Sequence, residues 1–196
     1  MGVDLAKHRD YTVISVFDTT TNAQVYQDRF QTIEWPFQKK KIKTDCEHFN
    51  RAMIALDSTG VGDPIADDLI RAGLPVQPIV ITEQTKKDLI EKLSIYIEHK
   101  RIKILPLSES LYEYDNFSYE IGPTGRIRYG AAVGFNDDIV IAHALAVWSM
   151  SPLTKGVMTI EKTPIQKDYA KAKSEYQNNQ ELGEEFSKDF DDWGGI

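Results

Sequence analysis

Three acidic positions that are far apart in the sequence each stand at the end of an apolar segment. Asp4 ends a short apolar stretch near the N-terminus, Asp57 follows the run Ala52–Leu56, and the pair Asp137–Asp138 begins an apolar, helix-like run. A carboxylate at the end of a buried strand is unfavourable unless another group pairs with it. A turn or helix-cap role accounts for any one of these positions, but the three together favour one shared metal site.

The chemistry expected of such a site follows from the charge of its ligands. Two carboxylates about 5 Å apart repel each other by roughly 3 kcal/mol at an effective dielectric constant of about 20, and a divalent cation removes that cost. Oxygen ligands suit Mg²⁺ or Mn²⁺, and the sequence has neither the cysteine pair nor the histidine cluster that zinc prefers. Two such ions about 3.5–4 Å apart can activate a water and stabilise the leaving oxygen of a phosphodiester. The predicted reaction is metal-assisted hydrolysis of a phosphodiester.

The elements that must position these carboxylates can be predicted from hydrophobic periodicity and turn residues. Strands are expected over residues 3–6, 11–17, 24–30, 53–57, 76–81 and 102–105, helices over 36–50, 63–73, 82–99 and 137–148, and a second hairpin over 119–129. Asn136 is expected to cap the last helix. The first three strands follow one another directly and indicate antiparallel pairing, whereas the later strands alternate with helices and indicate parallel crossovers. The predicted fold class is α/β, a mixed sheet of three antiparallel strands and then parallel strands, flanked by helices.

Composition divides the chain into a globular body and an acidic tail. The 196 residues are 41% hydrophobic, enough for one packed domain, which we place at residues 1–150. Residues 151–196 are polar and acidic with few apolar anchors, so we expect this segment to be extended or partly disordered. No apolar run is long enough to span a membrane, so no membrane partner is expected.

The net charge of −7 is unevenly distributed. Residues 175–196 contain seven acidic residues and one lysine, a charge of −6, which leaves −1 for the preceding 174 residues. Phosphate binding depends on local positive charge more than on the total. A nearly neutral body with local Lys and Arg clusters can therefore bind DNA.

Motifs in three regions carry a family resemblance. They are Gly2–Asp10, Leu56–Pro64, and Arg128–Ala131 followed by Gly134–Asp138 and Ala142–Ala146. Their order and spacing resemble the nuclease domain of the large terminase subunit of tailed bacteriophages, over about residues 2–150. The resemblance implies an RNase H-like fold related to the RuvC resolvases.

The resemblance also implies a function and partners. Terminase nucleases cleave concatemeric double-stranded viral DNA at the start and end of capsid filling. A packaging ATPase domain normally precedes the nuclease domain, so the chain is expected to be part of a longer protein. The portal and the small terminase subunit are the implied partners, and the implied location is the cytoplasm of the bacterial host, with transient docking on the viral procapsid.

Site residues carry over by position. Asp4 and Asp57 match the family's first two metal ligands, and the third comes from Asp137–Asp138. We prefer Asp138, because it shares one helix face with Ile141, Ala142 and Leu145. Asp10 is either an outer-shell residue or a turn residue. Asn136 stands where many relatives have histidine, which leaves open whether a neutral base assists.

Candidate DNA contacts lie in the two predicted hairpins. Lys7 and Arg9 lie beside Asp4 in the first hairpin and could contact the scissile strand. Arg126, Arg128 and Tyr129 lie in the second hairpin, where they could contact phosphates and stack on DNA. The alternative for both groups is an ordinary solvated surface. His143, inside an apolar helix, is expected to be a buried, hydrogen-bonded core residue.

Three other functions stay open at this point. A RuvC-like Holliday-junction resolvase would use the same chemistry on four-way junctions. An actin-like nucleotide-binding fold also begins with a strand that ends in Asp-Leu, but the chain lacks a convincing second phosphate loop. A non-catalytic docking module would act through its acidic tail. Assays on linear duplex, junction DNA and ATP separate these functions.

Overall fold

The computed structural model describes residues 1–6, 10–31, 33–60, 62–122 and 127–150. These residues form the strands β1 (Gly2–Asp4), β2 (Thr12–Asp18), β3 (Ala23–Phe30), β4 (Ile54–Asp57), β5 (Val76–Ile79), β6 (Phe117–Ile121) and β7 (Ile127–Ala131). The helices are α1 (Trp35–His48), α2 (Gly62–Arg71), α3 (Glu83–Glu98), α4 (Ser108–Asp115) and α5 (Asp138–Ser149). The predicted acidic tail, residues 151–196, lies outside the described residues.

The central sheet has the order β3-β2-β1-β4-β5. The pairs β1/β2 and β2/β3 are antiparallel, and the pairs β1/β4 and β4/β5 are parallel. This arrangement confirms the predicted mixed sheet. Strands β6 and β7 form a separate antiparallel hairpin, which was also predicted.

Helices cover both faces of the sheet because alternate strand residues point to opposite faces. One core cluster joins Val3, Ile14 and Leu56 to apolar residues of α1 and α2. The other joins Phe17 and Ala55 to apolar residues of α3 and α5. The two clusters fix the positions of the helices that contribute to the candidate site.

Helix α5 packs directly against β1. A Cβ atom on Gly2 would overlap the carbonyl oxygen of Ala142 and the backbone nitrogen of Ala146, so only glycine permits this approach. The helix is buried along most of its length, as its apolar sequence predicted. No helix in the described ranges is long and apolar enough to cross a membrane.

The structure differs from the predicted elements in three places. The strand expected over residues 102–105 is reduced to one parallel bridge between Lys103 and Ala23 at the edge of β3. Helix α4 was not predicted. Asn136 does not cap α5, because the N-cap residue is Asp137.

Candidate metal centre

Asp4 and Asp57 end neighbouring parallel strands. Val3 is paired with Leu56 in the register of β1 and β4, so Asp4 and Asp57 are the next residues along both strands. Neighbouring strands lie about 4.8 Å apart, and paired side chains project from the same face. Asp57 Oδ1 also accepts a hydrogen bond of 2.8 Å from the backbone N–H of Thr59. The two carboxylates therefore stand side by side at the carboxyl ends of these strands.

The N-terminus of α5 brings the acidic pair to the same edge of the sheet. Asp138 is the first residue of α5 and is 8% exposed. Its Oδ2 accepts hydrogen bonds from the backbone N–H of Tyr11 at 3.0 Å and from Nδ2 of Asn136 at 2.9 Å. Because Tyr11 directly precedes β2, the first contact ties the beginning of the helix to the strand beside β1.

The four carboxylates influence one another electrostatically. Burial raises the pKa of Asp4 well above its usual value, and the negative charges of Asp57, Asp138 and Asp137 raise it further. Burial also raises the pKa of Asp57 and of Asp138. Negative charge is therefore costly on Asp4, Asp57 and Asp138, and the charge of Asp137 adds to that cost at Asp4.

Lys86 of α3 is a member of this cluster that sequence reasoning missed. Its Nζ lies 2.6 Å from Oδ2 of Asp137, and its charge lowers the pKa of Asp4 and Asp57. Lys86 and Asp137 are 51 residues apart, so no local pattern connects them. Within its own helix, Lys86 is one of two adjacent lysines and looks like part of a solvated face.

The donor set fits a hard divalent cation by its chemistry. The four acidic side chains offer carboxylate oxygens, which Mg²⁺ and Mn²⁺ prefer. Among the described residues, however, no group of three or more His, Cys, Asp or Glu side chains is arranged to hold a metal ion as it stands. The assignment of Asp4, Asp57, Asp137 and Asp138 as ligands stays a prediction.

Asp10 and Asn136 lie beside Asp138. Asp10 is exposed, and its charge contributes to the raised pKa of Asp138. Asn136 donates its amide N–H to the carboxylate of Asp138, so the side chain at this position orients the carboxylate. An outer-shell role for Asp10 stays a prediction.

Two of the candidate DNA-contact residues, Arg128 and Tyr129, lie in the described part of the chain. Lys7, Arg9 and Arg126 lie outside the described residues. The Arg128 side chain is 68% exposed, and its Nε lies 3.5 Å from Oε1 of Glu83. Tyr129 is half-buried and packs against the core cluster that contains α3 and α5. Successive residues of a strand point to opposite faces, so Arg128 and Tyr129 do not form one contact surface.

Comparison with known proteins places the chain in a family. The sequence model of the family described as the terminase RNaseH-like domain matches residues 1–129. The chain belongs to this family. The matched segment includes Asp4 and Asp57 and ends before Asp137–Asp138.

Individual relatives of this terminase domain agree with the assignment. The large terminase subunit of Thermus virus P23-45 is 32% identical over 147 residues, which is 74% of this chain and 30% of the relative. The chain thus spans less than a third of the length of that relative. The magnesium-bound large terminase nuclease of the thermophilic phage G20c has 31% identity and a TM-score of 0.71, and the match covers 75% of this chain and 78% of that one.

A more distant structure supports the fold alone. The manganese-bound nuclease domain of the large terminase of bacteriophage SPP1 has a TM-score of 0.52 and 13% identity, over 76% of this chain and 85% of that one. With the G20c structure, it confirms the predicted RNase H-like terminase fold.

Proposed function

We propose that this domain is a metal-dependent DNA endonuclease that hydrolyses phosphodiester bonds of double-stranded DNA with Mg²⁺ or Mn²⁺. The observation that carries the proposal is the convergence of Asp4, Asp57 and Asp137–Asp138 on one edge of the sheet, where Asp4 is subject to the charge of the other three. Mutual repulsion of this kind favours a site that binds cations. The magnesium bound by the similar G20c nuclease supports the same choice of ion.

The residues of the chain have distinct parts in this mechanism. Asp4, Asp57 and Asp138 would hold two divalent ions, and Asp137, the alternative third ligand, would support them from beside Asp138. When bound, the ions supply an activated water and stabilise the leaving oxygen. Arg128 is exposed on the hairpin and can contact a DNA phosphate. Contacts to the phosphate backbone read no base edges, so little sequence specificity is expected.

Cleavage of supercoiled plasmid tests the proposal. The purified protein should nick and linearise plasmid with Mg²⁺ or Mn²⁺ and should be inactive in EDTA. Asp4→Asn, Asp57→Asn and Asp138→Asn should each abolish cutting, and Asp137→Asn should reduce it about 10–100-fold, as an outer-shell loss would. If Asp138→Asn cuts normally while Asp137→Asn is inactive, the order of these two ligands is reversed.

A matched control and other substrates make this assay specific. Asp18→Asn removes a carboxylate from the last residue of β2, at the end of the strand away from Tyr11, and should cut like wild type. Preference for four-way junctions over linear duplex would favour the resolvase alternative, and turnover of ATP would favour the nucleotide-binding one. Absence of any cleavage by the wild type would leave the docking alternative.

The role of the whole protein is a further part of the proposal, based on family membership. We place this domain beside a packaging ATPase domain, where it would cut concatemeric viral DNA in the cytoplasm of the bacterial host while docked on the procapsid. The acidic segment 151–196 would meet the portal or the small terminase subunit. Removal of residues 175–196 should strengthen DNA binding at low salt, because it removes a charge of −6.

A further inference from the structure

The two aspartates at the beginning of α5 direct their carboxylates away from their own helix. Asp137 is the N-cap residue, yet its side chain makes no capping hydrogen bond and instead contacts Lys86. The hydrogen bonds described for the Asp138 carboxylate come from Tyr11 and Asn136, both outside the helix. An aspartate at the N-cap position ordinarily accepts a hydrogen bond from the N–H of the second or third residue of its helix. Another acceptor is therefore needed at the N-terminus of α5.

Glu113 of α4 supplies this acceptor. Its Oε2 lies 2.8 Å from the backbone nitrogen of Ile139, the second residue of α5, and the hydrogen bond is buried. The Glu113 side chain is 3% exposed. A carboxylate at this position also interacts favourably with the positive end of the helix dipole.

Arg29 of β3 connects this cap to the segment that holds Asp138. Its Nη2 lies 3.2 Å from Oε1 of Glu113, and its guanidinium carbon lies 3.3 Å from the centre of the Tyr11 ring. The backbone N–H of Tyr11 in turn donates to Asp138. One arginine thus contacts both the residue that caps α5 and the residue that orients the Asp138 carboxylate.

We propose that Glu113 is a positioning residue that caps α5 in place of the N-cap residue Asp137, and thereby keeps the Asp137 carboxylate turned toward Lys86 and the metal site beside Asp138. This inference rests on the proposed function, since it assumes that the two aspartates serve a metal. Without an acceptor at position 113, the N–H of Ile139 would be left unpaired in the protein interior, where an unpaired donor is costly. The carboxylate of the N-cap residue Asp137 would then turn back to accept that hydrogen bond and would leave Lys86 and the metal site.

Three variants separate the hydrogen bond from the charge and from packing. Glu113→Leu removes the acceptor but fills the space, Glu113→Gln keeps an acceptor oxygen without the charge, and Ser110→Ala perturbs another buried polar residue of α4. Titration calorimetry with Mn²⁺ should show affinity about 10–100-fold weaker for Glu113→Leu, as expected when support of a ligand is lost. Glu113→Gln and Ser110→Ala should stay near wild type. Equal affinity of Glu113→Leu and wild type, or equal weakness of Glu113→Gln and Glu113→Leu, would overturn the proposal.

A second measurement needs no metal and no leucine variant. In ¹H–¹⁵N spectra, the amide signal of Ile139 should shift more in Glu113→Gln than in Asp137→Asn, because Glu113 and not the N-cap residue is its acceptor. The reverse pattern would show that Asp137 is the cap and would overturn the proposal. A wild type that binds no Mn²⁺ and cuts no DNA would refute the proposed function, whereas an active wild type with an unaffected Glu113→Leu would refute the positioning role alone.

Discussion

The ammonium nitrogen of Lys86 lies 2.6 Å from Oδ2 of Asp137, and the same charge lowers the pKa of Asp4 and Asp57. Lys86 is thus the positive partner of a cluster of four carboxylates. When no metal is bound, the positive charge of Lys86 offsets part of the repulsion among the four carboxylates. A bound divalent metal would offset the same repulsion. Lys86 should therefore matter most when no metal is bound.

Lys86→Met should lower the melting temperature in EDTA and have a much smaller effect in saturating Mn²⁺, because the metal replaces the missing charge. The pair is about a quarter exposed on both sides, so the expected loss is about 1 kcal/mol, or about 2–4 °C for a domain of this size. Lys87→Met, which removes a more exposed lysine beside Glu91, is the control. Equal losses for both variants in EDTA would show that Lys86 is an ordinary surface lysine.

Asp4→Asn should raise the stability of the metal-free protein even though it destroys the site. The folded state raises the pKa of Asp4 above 3.8, so this carboxyl group favours folding at low pH and opposes it once the pH rises through the raised value. The gain at neutral pH should be of order 1 kcal/mol, because water that enters the site screens the repulsion. Differential scanning calorimetry in EDTA at pH 4 and pH 7 should show the advantage of Asp4→Asn growing with pH. With Mn²⁺ the wild type should become more stable than Asp4→Asn, since the ion stabilises only the protein that binds it.

The sheet and the acidic positions could be predicted because a short stretch of sequence is enough to identify each of them. Asp4, Asp57 and Asp138 follow or begin apolar runs whose periodicity identifies the element. Helix α4 could not be predicted in this way, because it has only eight residues and both of its buried residues, Ser110 and Glu113, are polar. Its apolar pattern is therefore too weak to distinguish it from a loop.

Contacts between residues far apart in the sequence could not be predicted either. Glu113 and Ile139 are 26 residues apart, and Lys86 and Asp137 are 51 residues apart. Only the packed fold makes these groups neighbours, so nothing in either local sequence identifies the partner. The expected Asn136 cap is wrong for a local reason: α5 begins one residue later, with Asp137 as its N-cap, and Asn136 donates its side-chain amide to the carboxylate of Asp138.

Gly2→Ala should destabilise the domain and weaken metal binding together. The added methyl group would overlap the backbone of α5 at Ala142, so β1 and the helix must separate. Overpacking of this kind costs about 1–3 kcal/mol, and the separation moves Asp4 away from Asp138. Gly130→Ala is the matched control, because its Cβ would meet Asp137 Oδ2 at an ordinary 3.9 Å. Thermal melting and Mn²⁺ titration of both variants test this; a Gly2→Ala protein with normal melting and normal affinity would contradict the close packing of β1 on α5.

His143 should make the stability of the domain depend on pH in mildly acidic solution. The predicted buried core histidine is confirmed: the ring is inaccessible to solvent, with Nε2 2.9 Å from Nε2 of Gln24 and Nδ1 2.9 Å from the Tyr114 hydroxyl. The Gln24 amide is oriented by the backbone N–H of Leu105, which donates to its Oε1. Its NH₂ group faces His143 Nε2, and Oε1 of Gln27 lies 3.1 Å from the same nitrogen. The ring is thus surrounded by buried neutral groups, with no solvent to stabilise its charged form.

Burial lowers the pKa of His143 from 6.5 to about 3. Because the folded-state pKa is depressed, the neutral ring contributes stability that is present above pH 6.5 and is lost as the pH falls toward about 3. The loss attributable to this residue is at most about 1.4 kcal/mol per pH unit in that window. His143→Gln should be less stable than wild type at pH 8, but its free energy of unfolding should fall less between pH 6 and pH 4. His99→Gln removes an exposed histidine and is the control; its free energy of unfolding should fall with pH as that of wild type does. Urea unfolding at several pH values measures these slopes, and identical slopes for His143→Gln and wild type would mean that the histidine does not stay neutral in the folded core.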